Sequence, residues 1–166
     1  MSMRHIMSVG ENLLTGVQED DSQPNAVDLR VRDIFRLNDE EFRLIGDQKV
    51  HRGSVKMEVD EMGCWTLQPG VYEIIMENMI SVPAGYAGWV ITRSTLNRNG
   101  LFITSGLYDS GYSGVMAGAL HVKHGPAVIQ RGSRVGQFLM FEAETLSMYD
   151  GDYGVGKQHD KKYTGE

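Results

Sequence analysis

The sequence predicts an all-β sandwich or barrel, on three observations. Short runs rich in Val, Ile, Thr and aromatic residues recur at roughly 8–12 residue spacing, as in antiparallel β domains. Turn residues punctuate them, as in Gln68-Pro69-Gly70, Ser81-Val82-Pro83-Ala84-Gly85 and Lys123-His124-Gly125-Pro126. The chain of 166 residues, 41% hydrophobic and 23% charged, suits one domain with a sizeable core.

Taken in order, residues 1–22 form a weakly patterned N-terminal segment. Glu11-Asn12-Leu13-Leu14 predicts the start of a short helix, and Glu19-Asp20-Asp21-Ser22 a solvated turn. Between Ala26 and Phe35, Val27, Leu29 and Val31 alternate with Asp28, Arg30 and Arg32. Period two is a half-buried strand, with Asp28 and Arg30 on its polar face. Arg36 to Asp47 is charged and reads as a loop or an edge strand. A strand is predicted over 50–61, where Val55, Met57 and Val59 alternate with Lys56, Glu58 and Asp60. Trp65-Thr66-Leu67 leads into the first turn, and strands follow over 71–76 and 86–92. Leu96 to Gly100 predicts one helical turn with Gly100 as its cap. Strands over 101–104 and 115–122 flank a glycine-rich turn. Strands over 127–129 and 136–142 flank Arg131-Gly132-Ser133. From about Tyr149 to Glu166 the aliphatics give way to Gly, Asp, Lys and Tyr. Such a segment builds no core of its own and reads as a mobile C-terminal tail.

Composition narrows the function. A net charge of −6 disfavours a polyanion-binding surface, so no nucleic-acid partner is expected. Any phosphate site must then concentrate cations locally, with Arg93, Arg98, Arg131 and Arg134 as candidates. Cys64 is the single cysteine and reads as a small buried apolar residue. It permits no intrachain disulfide, which suits a reducing compartment. No apolar run approaches the ~18 residues of a membrane span, and the N-terminus lacks the basic flank and apolar core of a secretory signal. The expected location is cytoplasmic, with no membrane partner.

Two polar clusters interrupt the β-rich background. Arg93-Ser94-Thr95-Leu96-Asn97-Arg98 packs two cations and two hydroxyls into six residues, as a phosphate cradle requires. Singly, such a run is usually a solvated strand end. Gly106-Leu107-Tyr108-Asp109-Ser110-Gly111-Tyr112-Ser113-Gly114 sets one carboxylate in a glycine-rich turn, three residues before an aromatic. Singly, that is usually only a turn, because Asp and Gly tolerate the backbone angles. His5, His51, His121, His124 and His159 show no metal-ligand spacing.

The order of these clusters resembles the dUTPase and dCTP deaminase superfamily. Its pattern is Arg-Ser-Ser/Thr-Leu-x-Arg-x-Gly, a short apolar strand, then Asp-x-Gly-Tyr/Trp-x-Gly. Gln23-Pro24-Asn25-Ala26-Val27-Asp28-Leu29-Arg30-Val31 resembles its first motif, and Arg131-Gly132-Ser133-Arg134-Val135-Gly136-Gln137 its fourth. Lys162-Tyr163-Thr164-Gly165 resembles the Lys-Tyr-x-Gly tail of the deaminase-like branch. The resemblance implies a distorted jelly roll, a homotrimer with sites at subunit interfaces, and a deoxyuridine nucleotide substrate. It implies that Arg93, Ser94, Thr95, Arg98 and Gln137 hold phosphates, though Gln137 reads equally well as a strand-surface amide. It implies that Asp109 activates water for attack on the α-phosphorus, and that Tyr112 packs on deoxyribose and disfavours a 2′-OH. Base recognition falls to the hairpin at Ile103, Thr104, Ser105 and Gly106. Tyr153, Lys162 and Tyr163 belong to a lid closing over the nucleotide, with Gly151, Gly154 and Gly156 giving it flexibility. Mg²⁺ is the implied cofactor, held mainly by the triphosphate and water. Asp28 touches that water shell or serves its own strand.

The chain departs from both branches. The deaminase pattern Asp-Pro-Gly-Trp-x-Gly-x-x-x-x-Glu places its proton-shuttling Glu at Ala119, which moves no proton. Ser110 replaces the usual Pro. The scaffold thus reads as deaminase-like and the catalytic set as that of a dUTP diphosphatase. The alternatives are a dCTP deaminase, alone or bifunctional, and a non-catalytic trimeric nucleotide-sensing module.

Overall fold

A computed structural model describes residues 2–165. Its strands are β1 (Met3–Arg4), β2 (Val27–Leu37), β3 (Arg43–Ile45), β4 (Gln48–Val50), β5 (Ser54–Lys56), β6 (Cys64–Leu67) and β7 (Gly70–Ser81). They continue as β8 (Tyr86–Thr92), β9 (Leu101–Thr104), β10 (Ser113–Val122), β11 (Ala127–Gln130) and β12 (Arg134–Glu142). Helical turns are short: α1 (Ile6–Val9), α2 (Ser94–Asn97) and α3 (Lys161–Thr164).

All pairings are antiparallel, and β2 joins two layers. Its first half pairs with β12, which also pairs with β8 and β1. Its second half pairs with β5 and β7, and β7 continues to β10 and β9. The register of β2 against β7 shifts between Val31 and Asp33, a bulge at the crossing between layers. The inner faces meet in one core. Leu29, Val90, Phe138 and Met140 from one layer pack with Ile74, Met76, Met116 and Leu120 from the other. This is the β-sandwich of the expected jelly roll, and β8 and β9 have the bounds that their apolar patterns predict.

Several elements differ from the sequence reading. The N-terminal helix is at Ile6–Val9, because Asn12 takes φ 60 and breaks any helix begun at Glu11. Residues 50–61 form no continuous strand. β4 ends at Val50, β5 covers only Ser54–Lys56, and Met57 N–H turns back to the Ile34 carbonyl. Asp21 lies in no solvated turn. It is fully buried and bound by the Arg30 guanidinium through Nε and Nη2, at 3.0 and 2.7 Å. Burial alone would raise its pKa, but the Arg30 hydrogen bonds prevail and hold the carboxyl below the usual range. Cys64 is half-buried rather than buried. The C-terminal segment lies against the sheet, where Tyr163 packs edge-on to Phe35.

Candidate active site

The first polar cluster forms where β8 ends beside β12. The Arg93 N–H donates to the Val135 carbonyl at 3.1 Å. Gln137 and Asp28 are register partners, so their side chains share one face. Gln137 Nε2 donates to Asp28 Oδ1 at 3.0 Å. Arg93 Nε lies 3.2 Å and Arg134 Nη1 3.4 Å from Asp28 Oδ2. Oδ2 accepts no well-directed hydrogen bond, so its two guanidinium neighbours act as charges. Asp28 is fully buried, so the polar strand face expected for it lies inside the protein. A buried carboxylate committed to two guanidiniums does not fit the water shell of a metal ion. Among the described residues no group of His, Cys, Asp and Glu is arranged to hold one. Arg93 is half-buried, whereas Ser94, Thr95 and Arg98 are exposed on and just after α2. A buried anion thus orients Arg93 while the hydroxyls face solvent.

The second cluster is the loop between β9 and β10. Thr104 Oγ1 lies 3.0 Å from His121 Nε2, and Ser105 Oγ donates to the Gly106 carbonyl at 3.0 Å. Tyr108 exchanges backbone hydrogen bonds with Gly88 at 2.8 and 2.9 Å, which pins the loop to β8. The Tyr112 N–H donates to the Asp109 carbonyl at 3.0 Å. That turn leaves the Asp109 side chain exposed beside the buried Ser110. Gly111 supplies the required φ of +90.

Tyr112 is buried, its ring edge-on to Tyr108 and Tyr149, and its hydroxyl donates to the Val115 carbonyl at 2.6 Å. Burial raises the pKa of both Tyr108 and Tyr112, so both stay neutral donors. Tyr112→Phe keeps the ring and leaves the Val115 carbonyl without its donor. The expected loss is ~1 kcal/mol of stability, read by denaturant unfolding.

A cavity of about 820 Å³ opens between this loop, the β7–β10 face and the C-terminal segment. Of the predicted residues, Gly106, Tyr112, Tyr153, Lys162 and Tyr163 line it. Asp109 lines a neighbouring recess of about 410 Å³, and Leu107 and Tyr149 line both. Arg93, Ser94, Thr95, Arg98, Thr104, Ser105 and Gln137 line neither. One chain therefore gathers Arg93, Arg134 and Gln137 about Asp28. Elsewhere it gathers Tyr112 with the tail residues, and Asp109 stands in the adjoining recess.

The sequence reading missed Glu73, Tyr149, His159 and Asp160, all on the cavity wall. Glu73 had a visible signal, a lone charge inside the apolar run Val71-Tyr72-Glu73-Ile74-Ile75-Met76. His159 and Asp160 had none, because the fold of the tail makes their environment. Burial, then the nearby Lys162 and His51, lowers the His159 pKa, and burial raises that of Asp160.

Fold and site together define a β-sandwich with an Arg-centred polar cluster and an aromatic-walled cavity beside an exposed carboxylate. The dCTP deaminase-like family model matches residues 2–143, and the chain belongs to that family. A probable deoxyuridine 5'-triphosphate nucleotidohydrolase of Halobacterium salinarum is 33% identical over 156 residues, 89% of each chain. Another, of Methanopyrus kandleri, is 35% identical over 147 residues, 86% of this chain and 94% of the relative. The solved 2'-deoxycytidine 5'-triphosphate deaminase of Agrobacterium tumefaciens matches the fold with TM-score 0.65 at 18% identity. That match covers 86% of this chain, which spans about half (48%) of the deaminase chain.

Proposed function

We propose that the protein hydrolyses dUTP to dUMP and pyrophosphate. The observation that carries this reading is the pairing of Ala119 with Asp109. Ala119 stands on the cavity wall where the deaminase pattern has its glutamate, so position 119 itself offers no side chain to shuttle a proton to a cytosine amine. Asp109 stands exposed at the next recess, free to accept one from water. Both sequence relatives described above are named as deoxyuridine triphosphate nucleotidohydrolases, which supports the same choice.

In this reading Asp109 takes a proton from water as its oxygen attacks the α-phosphorus, and the α–β phosphoanhydride bond breaks. The Tyr112 ring bears on the deoxyribose. The Gly106 end of the loop offers main-chain groups to the base. Arg93, steadied by Asp28, carries phosphate charge with Gln137, Ser94, Thr95 and Arg98. Mg²⁺ is proposed as a companion of the triphosphate oxygens, and no step above runs through it.

The active unit is proposed as a trimer. What supports it is that the Arg93 cluster lines neither cavity, as suits a site completed by a neighbouring copy. The test is incubation with dUTP, dCTP, dTTP and UTP, with and without Mg²⁺, with products identified and mass measured by light scattering. The expected products are dUMP and pyrophosphate from dUTP, by a trimer. Ammonia released from dCTP with dUTP left intact would overturn the hydrolase reading. Full activity at monomer mass would overturn the shared site.

A further inference from the structure

Glu73 sits in the middle of β7, within a row of register partners that crosses the sheet. Phe35 of β2 stands opposite Glu73, Glu73 opposite Ala119 of β10, and Ala119 opposite Thr104 of β9. Register partners project from the same face. One face therefore carries, strand by strand, an aromatic ring, a carboxylate, the alanine at the deaminase glutamate's place and a residue of the base-recognition hairpin. The Glu73 side chain is only 15% exposed. A carboxylate buried that far on an apolar strand is costly unless it is paired.

Its partners come from the other end of the chain. Lys162 Nζ lies 2.9 Å from Glu73 Oε2, and the Tyr163 hydroxyl donates to Oε1. Three further contacts fix the same segment. The Tyr163 ring packs with Phe35, Ile75 and Val115, Arg32 Nη2 donates to the Tyr163 carbonyl at 3.0 Å, and the Gly154 N–H donates to Asp160 Oδ2 at 3.0 Å. So seated, Tyr153, His159, Asp160, Lys162 and Tyr163 form the outer wall of the cavity. The Lys162 ammonium, part of the lid that the resemblance implies, meets Glu73.

We propose that Glu73 is a positioning residue that seats the C-terminal segment over the cavity through Lys162 and Tyr163, and so sets how long a nucleotide is retained there. The retention half rests on the dUTP reading above, whereas the seating half stands on this geometry alone. Neither half needs Glu73 to touch substrate.

Two measurements on Glu73→Gln and Tyr163→Phe test it. The first is amide hydrogen exchange without nucleotide. Residues 153–165 should exchange about tenfold or more faster in each variant, the scale for losing one hydrogen bond to a charged group. Amides of β8 and β12 should not change, which shows an intact fold. The second is dissociation of a non-hydrolysable dUTP analogue, expected to be about tenfold faster in both variants, with single-turnover hydrolysis of bound dUTP near normal in Glu73→Gln. Unchanged exchange in the tail overturns the anchor. Faster exchange with unchanged dissociation overturns the link to retention. If the unaltered protein binds no analogue, the dUTP reading falls, and the exchange arm still decides whether Glu73 seats the segment.

Discussion

Asp109→Asn should lower dUTP turnover by about 10²–10⁴, the usual worth of a positioned general base. The substitution keeps size and one acceptor oxygen and removes the base. Folding should survive. The turn is closed by main-chain groups, Tyr112 N–H to the Asp109 carbonyl, and Asn suits the same backbone angles. The side chain is exposed, so no buried network depends on its charge. Binding should survive too, because the phosphate and sugar contacts are assigned to Arg93, Gln137 and Tyr112. Steady-state turnover and calorimetric affinity for a non-hydrolysable analogue decide the matter on one sample. Lost turnover with retained affinity supports the base. Near-normal turnover would reduce Asp109 to a turn residue and send the catalytic role to another group. Loss of both would assign Asp109 to substrate binding as well.

The other large effect is expected at Asp28. Its carboxylate is fully buried, accepts from Gln137 and faces Arg93 and Arg134. Asp28→Ala leaves two cations side by side without their anion and one amide without its acceptor. Breaking a buried ion pair commonly costs about 3–5 kcal/mol. Arg93 and Arg134 each keep roughly a third of their side-chain surface exposed, at 28% and 32%, so water relieves part of that loss. The lower end, ~3 kcal/mol, is the expected destabilisation by denaturant unfolding. Asp28→Asn keeps the acceptor for Gln137 and should lose less. In both variants Arg93 loses the charge that orients it, so analogue affinity should fall while Mg²⁺ affinity of the free protein stays the same. A selective loss of metal binding would restore Asp28 as a metal residue and refute the arginine-orienting role.

The sequence carried the fold because a strand's two-residue period is local. Val27, Leu29 and Val31 announced β2, and the apolar runs 86–92 and 101–104 became β8 and β9 with those bounds. It missed where sequence-distant partners decide. Residues 50–61 alternate well enough for a strand, yet Val50 pairs within the β3–β4 hairpin, only Ser54–Lys56 form a strand on β2, and the pairing ends with Met57 N–H on the Ile34 carbonyl. The chemistry-bearing types were legible as well. Arg93 beside hydroxyls, Asp109 in its turn and Ala119 in place of a glutamate are facts of order and identity. Their surroundings were not.

Period two put Asp28 on a polar face. Only the arrival of β12 with Gln137 and Arg134, and of β8 leading to Arg93, makes that face a buried ionic cluster. The tail showed no core of its own, and it has none. It borrows Phe35, Ile75 and Glu73 from strands about ninety residues or more earlier in the chain, with the Tyr163–Glu73 bond spanning 90 positions. Local pattern determines which residues a strand offers to each side. Tertiary pairing decides which side becomes interior and what charge is waiting there, because burial and ion pairing depend on partners that no local window contains.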